Sequence, residues 1–275
     1  MRVLEGVFLW VTISLYVVSL LLFLWRAVFK NERQELYAWK CWLIGFCTHS
    51  ATILVRWIES GHPPVLWPYE HGLLSTWFIA LIFILAGRWV PGLKILGIVV
   101  SPAVLMILGY GIMNQGIGIE PLPPPYRSNW LWVHVTFAWL AYGAFAFTAV
   151  VALLYIIRHM APRFTGKAVL KWLPSPEVLD DLIFRVILFG FAGLTIEMGA
   201  GALWAYGLWG RYWAWDPMET WTLTSWVVYA LYLHLSVTMG WRGIRMAWLA
   251  IIAFCFILIA FGGIAMMSGL HGTLI

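Results

Sequence analysis

Eight apolar runs, near residues 7 to 29, 38 to 57, 71 to 88, 93 to 113, 131 to 157, 182 to 204, 218 to 239 and 246 to 267, leave this chain little choice except helices across a bilayer. A helix needs about 20 apolar residues to cross the hydrocarbon core, and lipid offers no partner for backbone groups that the helix does not satisfy itself. The 275 residues are 63% hydrophobic and 11% charged, too apolar for a water-soluble core. The expectation is an all-α polytopic membrane protein, a single membrane domain over residues 1 to 275 that forms a bundle of about eight transmembrane helices. The first run, Val7 to Trp25, lacks a small-residue cleavage site and is followed by Arg26 and Lys30, so it reads as a retained helix and not as a signal peptide.

The basic residues orient the bundle. Of 17 Lys and Arg, 13 fall on one side (positions 26, 30, 33, 40, 88, 94, 158, 163, 167, 171, 185, 242 and 245) and 4 on the other (2, 56, 127 and 211). Cytoplasmic loops carry the excess of positive charge, so both termini are expected on the outward, periplasmic side. The loops 58 to 70, 114 to 130 and 205 to 217 share that side, and function is sought there. The net charge of +5 is explained by these loops, and no nucleic-acid partner is read from it. Cys41, Cys47 and Cys255 lie in apolar segments and none opens a C-x-x-C-H, so the chain has no covalent haem-attachment motif of its own.

Six of the 20 Trp fall between residues 204 and 226. An aromatic belt at the membrane surface accounts for isolated Trp but not for this spacing. Trp209, Trp213 and Trp215 are expected in a short outward loop with Gly207 and Gly210, where flat rings and exposed backbone suit a large planar apolar ligand such as a porphyrin. Asp216 reads as the N-cap of the seventh helix, Pro217 as its first residue and Glu219 as the reciprocal acid of a capping box, which would fix the aromatic segment beside a rigid helix start. Arg211 can serve either a haem propionate or the membrane interface.

The run Trp209-Gly-Arg-Tyr-Trp213-Ala-Trp215-Asp216-Pro217-Met-Glu219-Thr-Trp221 resembles the WWD domain of haem-handling proteins, and its ending resembles the CcsA (ResC) branch. Arg56-Trp-Ile-Glu-Ser-Gly61-His62-Pro63, Tyr69-Glu70 and Ser268-Gly-Leu-His271 are similar to the same family, so the resemblance spans nearly the whole chain. It implies a segment, residues 205 to 221, that handles non-covalent haem b on the outer face of the bacterial inner (cytoplasmic) membrane. It also implies presentation of that haem to an apocytochrome c carrying C-x-x-C-H, as a subunit of a cytochrome c synthase (haem lyase) acting with a CcsB (ResB)-type membrane partner.

Position separates the seven His. His134, a turn inside the outer end of the fifth helix, and His271, just beyond the outer end of the eighth, are both expected near the Trp-rich loop. Two neutral imidazoles facing across a gap suit haem iron, and the resemblance implies the same pair. His234 lies about 12 Å deep from the cytoplasmic side and His49 about 13 Å. Bis-His ligation by those two is geometrically allowed, while the resemblance implies a second haem site within the bilayer at His234 and lets its other ligand come from a partner subunit. His49 reads equally as a ligand or as a core polar residue. His62, in a loop between Gly61 and Pro63, reads as readily as a substrate-facing or structural residue as a ligand, His71 as a helix-end residue and His159 as part of the basic anchor. Glu197 is an intramembrane carboxyl without an assigned role. Two other readings use the same residues: a bis-His b-type subunit of a respiratory electron-transfer complex, and a haem delivery protein of the CcmC type, against which the Asp216 to Trp221 ending speaks.

Overall fold

The computed structural model of the chain describes residues 2–65, 67–90, 92–113, 122–165 and 174–262. Among them are eight α-helices, α1 (Arg2–Phe29), α2 (Glu32–Ser60), α3 (Pro68–Trp89), α4 (Gly97–Met113), α5 (Asn129–Thr165), α6 (Pro176–Trp209), α7 (Pro217–Val237) and α8 (Ile244–Gly262). The segments Val3–Phe29, Glu32–Ser60, Pro68–Trp89, Leu93–Met113, Asn129–Pro162 and Pro176–Trp209 are long and apolar enough to cross a membrane, and Ile244–Ala260 is a shorter apolar helix. The multi-pass helical architecture expected from the runs is therefore present. α7 occupies the seventh run but is not among those six segments, and each side chain it buries carries a hydroxyl: Thr222, Ser225, Tyr229, Tyr232 and Ser236.

Local chemistry sets the helix ends. Asn31 caps α2 by accepting from the Arg33 N–H at 3.1 Å, and Gly61, at φ 72°, closes the same helix in the left-handed region. α6 runs five residues past the expected boundary at Trp204 and stops only at Gly210, φ 68°. Trp209 and Gly207 therefore belong to the last turn of a helix and not to a loop. Helical hydrogen bonding carries the chain beyond the apolar run until glycine offers a turn that L side chains resist.

The helices cluster as two compact units, residues 1–122 with α1 to α4 and residues 123–275 with α5 to α8. In the first unit α1 lies along α2 and α4, and α3 along α4. α3 and α4 approach at Gly72 and Gly111, where a Cβ on Gly72 would stand 3.3 Å from the Gly111 Cα. Small residues at such crossings let membrane helices gain dispersion contact that lipid cannot supply as well. Tyr16, Trp42 and Phe83 fill the interior, with ring centroids 4.5 Å apart for the first pair and 5.0 Å, edge to face, for the second. A buried charge cluster joins three helices of this unit. Arg56 Nε donates to Glu70 Oε1 at 2.9 Å, Arg56 Nη1 lies 3.9 Å from Glu5 Oε2, and Tyr69 Oη donates to Glu5 Oε1 at 2.8 Å.

In the second unit α5 lies along α6 and α8, and α7 along α8 and α6. Phe145 of α5 stacks on Tyr229 of α7 with centroids 3.7 Å apart and planes at 11°. Tyr229 is fully buried and its Oη has no hydrogen-bond partner among the described residues. Tyr229→Phe keeps the stack and removes the orphaned hydroxyl, so it is expected to raise stability by about 1 kcal/mol. Phe145→Ala, which deletes the partner ring, is expected to cost about 3 to 5 kcal/mol. Thermal unfolding in detergent micelles reads both, and a destabilised Tyr229→Phe would mean that the hydroxyl is paired in solution.

Candidate functional site

A small, half-open cleft lies in the second unit between α5, α6 and the start of α7, lined among others by His134, Glu197, Gly201, Trp204, Trp213 and Glu219. One face of α6 makes its wall: Glu197, Gly201 and Trp204 are spaced four and three residues apart, which stacks them one above the other on a helix. His134 comes to that wall from α5. Its Nδ1 lies 3.0 Å from the main-chain carbonyl oxygen of Glu197. A carbonyl only accepts, so Nδ1 donates and the neutral ring keeps its lone pair on Nε2. The ring lies nearly parallel to the Trp204 indole, centroids 6.2 Å apart at 28°. It fits against Gly201 only because no Cβ is there: one would stand 2.8 Å from Nδ1 and 3.1 Å from Cε1.

Aromatic rings continue from this wall. Trp204 Nε1 donates to the Pro125 carbonyl at 2.9 Å, which ties the loop before α5 to α6. Burial in that loop pushes the Tyr126 hydroxyl above its ordinary range. Trp209 lies 6.2 Å from Trp204, Tyr206 stacks on Tyr212 at 4.4 Å and 10°, and Trp213 meets Trp215 edge to face at 5.8 Å. Trp215 takes φ 59° and is 70% exposed, a backbone conformation that costs a bulky residue energy and recurs at functional sites.

The start of α7 follows the expected cap in part. Asp216 Oδ1 accepts from the Glu219 N–H at 2.9 Å. Glu219, however, reaches past the cap residue and accepts from the Ala214 N–H at 2.7 Å, because the turn at Trp215 brings that amide round to it.

Among the described residues, two polar atoms of cleft-lining side chains are buried without a partner, Glu197 Oε2 and Trp213 Nε1. The other Glu197 oxygen accepts from Tyr142 Oη at 3.2 Å. Neither Tyr142 nor Gly201 is singled out by the sequence. Tyr142 follows His134 by eight residues, and Gly201 follows Glu197 by four, so both signals were helix-face spacings to residues already noted.

The remaining candidates lie elsewhere. Arg211 is exposed and does not line the cleft. His234 is exposed on α7, with Nδ1 3.3 Å from Thr238 Oγ1. His49 is fully buried in the first unit, with Nδ1 3.4 Å from Tyr16 Oη, so it belongs to a different unit from His234. His271 lies outside the described residues. His62 Nδ1 contacts the Pro63 carbonyl at 2.9 Å, and His159 stacks on Tyr155 at 6.3 Å, as local structural roles require.

Helices long enough to span a bilayer, with a histidine set in an aromatic cleft, define a polytopic membrane protein with a candidate site for a flat ligand. Residues 67–271 match the model of the cytochrome c assembly protein family, and the chain belongs to that family. The cytochrome c biogenesis protein CcsA of Guillardia theta is 33% identical over 95% of this chain and 93% of its own length. CcsA of Synechococcus elongatus is 31% identical over 81% and 82% respectively. Among solved structures the fold is similar to the cytochrome c haem lyase CcmF, with a TM-score of 0.66 at 19% identity, over 92% of this chain and 45% of that one. The chain thus spans less than half of that solved protein.

Proposed function

We propose that the chain handles haem in cytochrome c biogenesis, presenting it at the outer face of the cytoplasmic membrane for covalent attachment to apocytochrome c. The observation that carries this reading is His134, held in one tautomer against a wall of Trp in a member of the cytochrome c assembly family. The residues present fit haem. Nε2 of His134 keeps the lone pair that iron needs, Gly201 leaves room for the ring that bears it, and two buried polar atoms of the cleft wait for a ligand.

In this reading His134 and His271 would hold the haem iron, and the 13-to-4 split of basic residues supports an outward cleft on the same side as both termini. Bound haem b supplies the vinyl groups on which thioether bonds to the cytochrome cysteines form. The protein holds and orients. The Glu197 carbonyl fixes the His134 ring, Trp204 and Trp213 exclude water from the cleft, and the Asp216 cap holds the Trp-rich segment at a rigid helix start. The exposed Trp215 is available to the incoming polypeptide. His234, exposed on α7, is placed for a second haem shared with a CcsB-type partner subunit, and the two proteins together constitute the synthase. The expected setting is a bacterial inner membrane.

The test is the visible and reduced pyridine haemochrome spectrum of the purified protein, alone and with its CcsB-type partner, alongside maturation of a reporter cytochrome c. His134→Ala and His271→Ala are expected to lose the six-coordinate b-type spectrum and reporter maturation, and His234→Ala to lose a separate fraction of the haem. Unchanged haem in all three would overturn the ligand assignment. Stable stoichiometric haem with no transfer to the reporter would favour a respiratory b-type subunit instead.

A further inference from the structure

The reading above counts the Glu197 side chain among the buried polar atoms of the cleft but assigns it no partner. It is 1% exposed on a membrane-embedded stretch of α6, with Oε1 held by Tyr142 Oη and Oε2 buried without a partner among the described residues. A carboxyl placed there is costly, so its reason is sought in what the cleft holds. The hydrogen bond from Tyr142 of α5 uses one carboxyl oxygen and leaves the other unexplained.

Haem chemistry supplies a reason, given the reading that this cleft takes haem, on which the inference rests. The porphyrin carries its vinyl groups on one edge and its propionates on the opposite edge. Thioether formation needs the vinyl edge turned to the incoming cytochrome at the membrane surface, which turns the propionate edge into the protein. Glu197 lies on the inner side of the cleft, since α6 rises about 18 Å from it to the helix end at Trp209.

We propose that Glu197 anchors a haem propionate, the two carboxyl groups sharing one proton across a hydrogen bond while Tyr142 holds the second Glu197 oxygen. A carboxylic acid donates as well as accepts, and two carboxyls brought together away from water keep a proton between them. An aliphatic floor would leave the propionate desolvated and unpaired. An arginine would grip it through a bidentate charge pair. A shared proton is the weaker hold, which suits a ligand that must leave with the cytochrome.

The experiment compares binding of ferric protohaem and its dimethyl ester to the purified full-length protein, by absorbance titration and by quenching of tryptophan fluorescence. Wild type is expected to bind the ester about tenfold more weakly, as for loss of one hydrogen bond involving a charged group. Glu197→Leu is expected to bind both forms alike, and Glu197→Gln to keep the preference because its amide N–H donates to the propionate. Arg211→Ala is expected to keep it too, since Arg211 is exposed and off the cleft. Equal wild-type affinities, a preference that survives in Glu197→Leu, or one abolished by Arg211→Ala would each overturn the anchor while leaving haem binding intact. Absence of haem binding in wild type would overturn the reading of the cleft as well. Should Glu197→Leu fail to fold, the wild-type comparison and Glu197→Gln decide the matter.

Discussion

Gly201→Val is expected to lower haem affinity by about a hundredfold, the loss seen when groups that position a metal ligand are disturbed. A Cβ at this position would stand 2.8 Å from His134 Nδ1, a distance that real Cβ atoms do not sustain. The ring must shift, and with it goes the 3.0 Å bond to the Glu197 carbonyl that sets its tautomer. Misplacing a reactive group by about 1 Å commonly costs two orders of magnitude. Gly199 supplies the control, because it lies on the same helix, is exposed, and a Cβ there meets nothing within 4 Å. Gly199→Val carries the same helix-propensity cost without touching the cleft. Haem titration of the two variants, each checked for folding by its unfolding midpoint, separates them. Equal affinities would mean that His134 is not the ligand.

Arg56→Leu is expected to destabilise the first unit by about 3 to 5 kcal/mol, the range for stranding a partner of a buried ion pair. Its guanidinium lies between Glu70, whose side chain is 1% exposed, and Glu5, whose carboxylate also takes the Tyr69 hydroxyl. Removing the cation leaves two buried carboxylates facing one another through an apolar side chain. Adding Glu5→Gln and Glu70→Gln to Arg56→Leu removes those charges and is expected to recover most of the loss. The exposed pair Arg185 to Asp181, at 2.7 Å, provides the contrast, and Arg185→Ala is expected to change stability by under about 0.5 kcal/mol. Unfolding midpoints in detergent measure all three. A cost below 1 kcal/mol for Arg56→Leu would show that the cluster is hydrated and not structural.

Much of the fold was legible because lipid imposes a single rule on every span. The runs gave eight helices in the right places, and Asp216 and Pro217 marked the start of α7, whereas the left-handed stops at Gly61 and Gly210 emerged only in the structure. Boundaries were less legible at α5 and α6, which continue past their apolar stretches, because a helix ends where hydrogen bonding is interrupted and not where hydrophobicity falls. α7 shows a related limit. Its hydroxyls lower the hydropathy of the segment, yet they are the side chains it buries.

At the cleft, sequence position alone singled out His134, the Trp-rich segment and the Asp216 cap, since each carries a rare residue type or a local motif. It also flagged Glu197 as an intramembrane carboxyl without a role. Only the tertiary structure decided that the Glu197 carbonyl orients His134, that Gly201 makes the room for its ring, and that Tyr142 takes one carboxyl oxygen and leaves the other buried without a partner among the described residues. Likewise it set Arg211 and His234 on exposed surfaces and His49 in a packed interior. The physical reason is the range of the interactions. Hydropathy, capping and turn preference act within a few residues and are written along the chain, whereas a hydrogen bond from α5 to α6 joins residues 63 positions apart and exists only once two helices have packed.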